Sequence, residues 1–455
     1  MNFEVVVVGG GIGGLTAAAL LAARGLSVCL FERQSQVGGC VANVEHQGYK
    51  FEPTFGLYSG WERGGIFDQV FSELPVDPPK VRPLSPFYHV RLPDGLGVSV
   101  GGILEQFENS LAEVFPECAS AAVDFYRELS RSPSETSDRT GTVASQLTRC
   151  SARFRRFVDV QLQTLIQCAS DECSYELAAA ALSPQSGNWS IAGGAQSLAD
   201  ALAMSLKQSG GTLRLNSPVL RLAYGSDGLP IGIDLLNGER VIATRAIVSN
   251  LTVWDTYGKL VGLNKTPRTV STQLRQMQSW GAYLVFVSLD SSAVPRISPR
   301  VLALTDWQEA ESYDPQTAQL VFSAPWAGEA AAGGKLGATV STFTKAEDWF
   351  SFHEDHSTHE EQDQAMLETV WSRLHAAMPE LGDSVEVIET ATPQTFYETT
   401  RRRFGMIGRP AARIPQTPPF ANLFLVGDTV TDSFGLAGVV KSALHAANAV
   451  RSSCK

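Results

Sequence analysis

The chain has 455 residues, 44% of them apolar and 18% charged, enough to bury a large core divided among two or three domains. Its formal charge of −11 argues against nucleic acid as a partner, because a phosphate-binding face needs clustered Lys and Arg. Cysteines stand at 29, 40, 118, 150, 168, 173 and 454. They are scattered, and no two Cys-x-x-Cys pairs exist to build a zinc site, so reduced thiols in a reducing, cytoplasmic setting are expected. No basic segment precedes the first apolar run, and no stretch approaches the ~20 apolar residues that crossing a bilayer requires. Neither a signal peptide nor a spanning helix is expected, and peripheral contact with a membrane stays open.

Residues 5–8 read VVVV, the unbroken β-branched run of a strand buried on both faces of a parallel sheet. GGGIGG follows, then the helix-forming LTAAALLAARG ending at Gly25, then a second strand, LSVCLFE, ending at Glu32. Gly9, Gly11 and Gly14 thus fit Gly-x-Gly-x-x-Gly between a strand and a helix. Gly9 allows the tight turn, Gly11 lets backbone approach a pyrophosphate, and Gly14 permits close helix–strand packing. The helix N-terminus offers N–H groups and partial positive charge to the phosphates. Glu32 is placed to accept from ribose hydroxyls and would repel a 2′-phosphate. A ligand-free glycine turn is the bland alternative.

Further along, LEQFENSLAEVF and RFRRFVDVQLQTLIQCA read as helices inside 71–187. Arg153, Arg155 and Arg156 alternate with Phe154 and Phe157 there, as in a helix dipping into a membrane interface or one with its aromatics in the core. The Ser-rich run 130–145 reads as a surface loop. YLVFVSLD and QLVFSAP read as strands and 361–378 as a late helix. His353, His356 and His359 lack the His-Glu-x-x-His spacing, so no metal is expected. Arg401, Arg402 and Arg403 form a charge run that suits either a cofactor edge or plain solvation.

The far end separates FAD from NAD. NLFLV at 422–426 reads as another buried strand, Gly427-Asp428 closes it, and Gly435 and Gly438 form a second glycine turn before a helix over 439–450. A flavin dinucleotide outreaches one mononucleotide half-site, so a second phosphate- and sugar-reading segment is expected. Asp428 can take a ribityl hydroxyl, and a helix beginning near Gly438 can turn its positive end to the flavin N1–C2=O edge. An ordinary terminal helix is the alternative.

These segments, with NWSIAGGAQSLADALAMSLKQSGGTLRLNSPVLRL, AIVSN at 246–250 and TPQTFYETTRRRFGMIG at 392–408, resemble the FAD-dependent phytoene desaturase superfamily. That group includes carotenoid desaturases, carotenoid isomerases and retinol saturases, with monoamine oxidases more distant. The resemblance implies that Gly9, Gly11, Gly14, Gly38 and Gly39 line the pyrophosphate, that Glu32 holds the adenosine ribose, and that Arg33 borders that end. It implies that Val219 presents backbone to the adenine, and that Gly427, Asp428, Gly438 and Val439 meet the ribityl chain and ring. Two features depart from the family. Cys40 replaces an arginine common in desaturases and looks more like retinol saturases. Phe51-Glu52-Pro53-Thr54 replaces Phe-Asp-x-Gly and puts Thr54 where a glycine lies near the flavin ring.

An α/β fold follows: an amine-oxidase-like, Rossmann-type FAD-binding domain from 1–70, 188–262 and 395–455, interleaved with an α+β substrate domain from 71–187 and 263–394. The implied function is hydride exchange between flavin N5 and a long apolar isoprenoid polyene, by desaturation, isomerisation or saturation. An oxidase of a polar substrate such as an amine, and a non-catalytic flavin-binding assembly protein, are the rivals. Catalytic residues and an electron acceptor are not assigned.

Overall fold

The computed structural model describes residues 1–452 apart from 132–140, 185, 278, 294–296, 309–311, 326–333, 351–355, 409–419 and 431–433. Most of the Ser-rich run and His353 therefore lie outside the described residues.

The valine run does form a strand, Asn2–Val8, with Val5, Val6 and Val7 fully buried. It pairs in parallel with Val28–Phe31 on one side and with Arg240–Ser249 on the other. Thr212–Arg214 extends the sheet beyond Val28–Phe31. The other edge of Arg240–Ser249 is shared by Pro230–Leu235 at its start and by Leu423–Leu425 at its end. The chain's last strand thus returns to its first sheet. Three carboxyl ends, at Gly9, Asn250 and Gly427, come together there, the place where open α/β sheets bind ligands.

Helix Ile12–Ala23 is alanine-rich and buried on every side, as its even hydrophobicity requires. It packs between Ala195–Gln208 and the final helix, Gly435–Ser452. That helix begins at Gly435 rather than near Gly438. The N–H of Gly438 is already bonded to Phe434 O at 3.1 Å. The positive end therefore lies one turn earlier than the glycine pattern suggested.

A second seven-stranded sheet runs in the order Val385–Ala391, Trp280–Asp290, Lys335–Lys345, Gln319–Ser323, Arg300–Leu304, Tyr88–Arg91 and Gly97–Val100. Its neighbours are antiparallel except Arg300–Leu304 with Tyr88–Arg91. Along Trp280–Asp290 the side chains alternate. Tyr283, Val285 and Val287 pack with Val370 and Leu374 of helix His356–Ala377. Ala282, Leu284 and Phe286 face the opposite way.

The two helices expected in the first insertion are Leu104–Val114 and Ala152–Ile166. Phe154 and Phe157 are buried at 0% exposure, edge-on to Phe115 and Tyr126. Arg156 pairs with Asp159 at 2.8 Å, and Arg153 pairs with Asp94 and Glu117. This run is core, and its aromatics do not face a membrane. No helix among the described residues is long and apolar enough to cross a bilayer.

Candidate functional site

One cavity of about 1450 Å³ opens between the two sheets. Sites for a single drug-sized ligand span roughly 300–1,000 Å³, and this one is larger.

Its polar end is built on the three strand ends. Gly9, Gly11, Glu32, Arg33, Gly38, Gly39, Val219, Gly427, Asp428 and Val439 all line it; Gly14 and Gly438 do not. Gly14 serves packing instead, since a Cβ there would stand 2.1 Å from Gly9 O. No side chain caps helix Ile12–Ala23, which leaves its leading N–H groups for a ligand. The segment after the second strand folds back over this turn, with Gly38 N–H donating to Gly10 O at 2.9 Å. Gly38 and Gly39 hold φ of +116° and +62°, a conformation that L side chains resist. Glu32 is fixed at both oxygens, accepting from Gly10 N–H at 2.7 Å and Gln34 N–H at 2.8 Å. Arg33 donates to the carbonyls of Glu398 and Thr399 at 2.7 and 2.9 Å.

One residue here escaped the sequence pattern, and another, Arg402, resolves to the cofactor-edge side of the alternatives its charge run left open. Asn250, the last letter of AIVSN, sits against the glycine turn, and Cβ atoms added at Gly11 or Gly13 would each lie 2.6 Å from its amide. Its signal was a polar residue ending an apolar strand. Arg402 holds Asp428 through contacts of 2.8 and 3.3 Å. Burial pulls the Arg402 guanidinium down, but the Asp428 carboxylate outweighs it and holds it above its ordinary value. Cys40 faces the same pair, and burial pushes its thiol up. Asp428 therefore meets any ribityl hydroxyl as an already paired carboxylate.

This combination fits a dinucleotide: a side-chain-free backbone cradle, uncapped N–H groups and a fixed carboxylate beside them. Away from the strand ends, the second sheet lines the cavity with the apolar Ala282, Leu284, Phe286 and Phe343, together with the polar Ser341, Thr342, Glu389 and Thr390, and Phe55 and Phe434 add aromatic surface. Tyr58 also lines the cavity, whereas Trp61 stacks on Phe67 and Phe404 packs on Phe350. Thr54 and Tyr58 bring hydroxyls to this part of the cavity, with Glu52 behind them. Among the described residues no group of three or more His, Cys, Asp or Glu is placed to hold a metal. His359 packs edge-on against Trp349.

A family model for flavin containing amine oxidoreductases matches residues 12–451. Prolycopene isomerase 2, chloroplastic, of an Oncidium hybrid cultivar is 24% identical over 99% of this chain and 84% of its own. The neurosporene-forming phytoene desaturase of Rhodobacter capsulatus is 26% identical over 57% of this chain and 54% of its own. Among solved structures, an oxidoreductase from Methanosarcina mazei superposes with a TM-score of 0.73 at 17% identity, covering 98% of this chain and 99% of its own.

Proposed function

This chain belongs to the flavin-containing amine oxidoreductase family and is an FAD-dependent oxidoreductase, and from that premise we propose that its substrate is a long apolar isoprenoid polyene of the carotenoid type. The observation that carries this is the two-ended cavity, a dinucleotide cradle continuous with a chamber walled by Leu284, Phe286 and Phe343. The carotenoid enzymes among the relatives support the substrate class.

In this reading Gly9, Gly11, Gly38 and Gly39 present backbone to the pyrophosphate, with Gly14 and Gly438 seating the helices behind. Glu32 accepts from the adenosine ribose, Val219 offers backbone to the adenine, and Gly427, Asp428 and Val439 border the ribityl chain. Bound FAD supplies hydride exchange at its N5. The protein's part is chiefly positioning: the apolar chamber excludes water and lays an extended chain in one orientation. Conjugation spreads any charge left on the polyene, so no strong electrostatic partner is needed. The discontinuous division into 1–70, 188–262 and 395–455 against 71–187 and 263–394 assigns the cradle to the first set and the chamber chiefly to the second.

The test is expression in hosts that accumulate phytoene, lycopene or poly-cis-lycopene. A yellow, FAD-containing protein and a changed pigment chromatogram in one host are expected, and that host tells desaturation from isomerisation. Hydrogen peroxide released on adding amines, with all three pigments unchanged, would favour the amine-oxidase reading instead.

A further inference from the structure

The segment that departs from the family pattern carries three hydrogen-bonded side chains. Glu52 Oε1 accepts from the Tyr58 hydroxyl, from Thr54 Oγ1 at 3.2 Å and from Ala195 N–H at 3.1 Å, at the start of helix Ala195–Gln208. The two hydroxyls lie 2.7 Å apart. Thr54 and Tyr58 line the cavity, while Glu52 stands behind them, out of the lining.

The surrounding wall is pinned. Tyr58 and Trp189 exchange both backbone hydrogen bonds, at 2.9 and 2.8 Å. Arg300 Nε donates to Gly56 O at 2.8 Å, and Thr339 Oγ1 donates to Glu52 O at 2.9 Å. A Cβ on Gly60 would lie 3.1 Å from Ala437 Cβ, so the segment packs on the first turn of the final helix. Gly435 and Leu436 of that helix face the same cavity.

A carboxyl retained only to cap a helix gains from staying ionised. Glu52 goes the other way. Burial pushes it above the usual carboxylate range, despite the opposing pull of Tyr58, Ala195 N–H, Arg300 and Thr54. Tyr58 and Arg300 are the titratable and charged groups facing it. A carboxyl whose neutral form burial favours, and which two hydroxyls hydrogen-bond, is placed to exchange a proton with them.

Resting on the polyene reading, we infer that the hydroxyls of Thr54 and Tyr58 relay protons between the substrate and the carboxyl of Glu52. In the desaturating direction a hydride leaves the polyene with two electrons, FAD being its acceptor, and a delocalised cation remains. A C–H bond on the neighbouring carbon then breaks, and its electron pair becomes the new C=C bond. The released proton goes to Thr54, whose own proton passes to Tyr58 as Tyr58 protonates Glu52. The neutral acid returns that proton to water between turnovers. Run backwards, the same chain delivers a proton to the polyene. Thr54 is the group that meets substrate; Glu52 acts through the two hydroxyls.

The test uses the FAD-loaded full chain and whichever polyene it converts. Glu52→Gln should retain FAD but convert polyene roughly 10²-fold more slowly. The pH dependence and the slowing in D2O seen in the native protein should vanish with it. Conversion that starts by taking a proton rises with pH through the Glu52 titration; conversion that starts by giving one falls. Glu52→Asp should restore part of the rate with a displaced pH profile. If Glu52→Gln fails to fold, the isosteric Thr54→Val carries the same comparison. A Glu52→Gln protein with native pH and D2O behaviour overturns the inference. A native protein that converts no polyene counts instead against the proposed function. Infrared difference spectra then test the part that stands without substrate: a carboxylic-acid C=O band titrating above the usual carboxylate range and missing in Glu52→Gln keeps Glu52 as a proton-exchanging group, and no such band overturns the relay.

Discussion

Gly11→Ala separates packing from cofactor recognition. Gly11 has φ −73° and ψ 174°, which alanine adopts freely, so the new methyl acts by contact alone. That Cβ would lie 2.6 Å from Asn250 Nδ2, with the next protein atom, Asn250 Cγ, at 3.8 Å. Ordinary contacts lie near ~3.5–4.0 Å, so the overlap is about 1 Å and confined to one movable amide. Overpacking of this kind costs about 1–3 kcal/mol. On the proposed placement the methyl also stands where the pyrophosphate approaches backbone, and each charge-assisted hydrogen bond it would block is worth about 1.5–3 kcal/mol. One such loss weakens FAD binding roughly tenfold to a hundredfold. Adding Asn250→Ala removes the protein clash but leaves the cofactor clash. The double variant should therefore recover most of the Tm lost by Gly11→Ala in the apoprotein while its FAD dissociation constant stays raised. Thermal unfolding of apoprotein and flavin fluorescence titration give the two readouts. Native FAD affinity in Gly11→Ala would refute the placement of the pyrophosphate.

Gly14→Ala should behave differently, because its Cβ meets Gly9 O at 2.1 Å and neither backbone can yield; apoprotein stability falls and Asn250→Ala does not restore it. Cys40→Ser should leave FAD bound. Burial holds the Cys40 thiol above its ordinary value, so its thiolate is scarce at neutral pH and alkylation should accelerate only in alkaline solution; rapid labelling at pH 7, followed by peptide mass spectrometry, would contradict this. Phe154→Ala should cost about 3–5 kcal/mol in denaturant unfolding, because the ring is fully buried among Phe115, Phe125 and Tyr126; a loss of membrane affinity without that cost would return the Arg–Phe run to the surface.

The cradle was legible because its physics is local. Gly9, Gly11 and Glu32 lie on one strand–turn–helix–strand unit whose spacing alone brings them together. The second sheet was only half legible. Tyr88–Arg91 pairs with Arg300–Leu304 more than two hundred residues away, and such short runs carry no sign of their partner. In Lys335–Lys345 Gly337 weakens the strand signal, and the three threonines, though strand formers, are too polar to announce a strand buried in mid-sheet. The helix start slipped by a turn because Gly435 and Gly438 both suit a helix entrance, and only the Gly438 N–H bond to Phe434 separates them. Arg402 with Asp428 is a tertiary pairing, and Glu52 with Tyr58, although close in sequence, meets only through the irregular path of the loop between them. The odd spelling of Glu52-Pro53-Thr54 marked the place without giving the carboxyl its partners.

The claim that one cavity holds both cofactor and polyene is met most directly by blocking the chamber alone. Leu284→Trp puts a large ring on the apolar wall of the cavity, on the second sheet. In a host whose pigments the native chain alters, the Leu284→Trp protein should purify yellow with native FAD content yet leave the pigment chromatogram unchanged. A Leu284→Trp protein that still converts the pigment at the native rate would contradict the account.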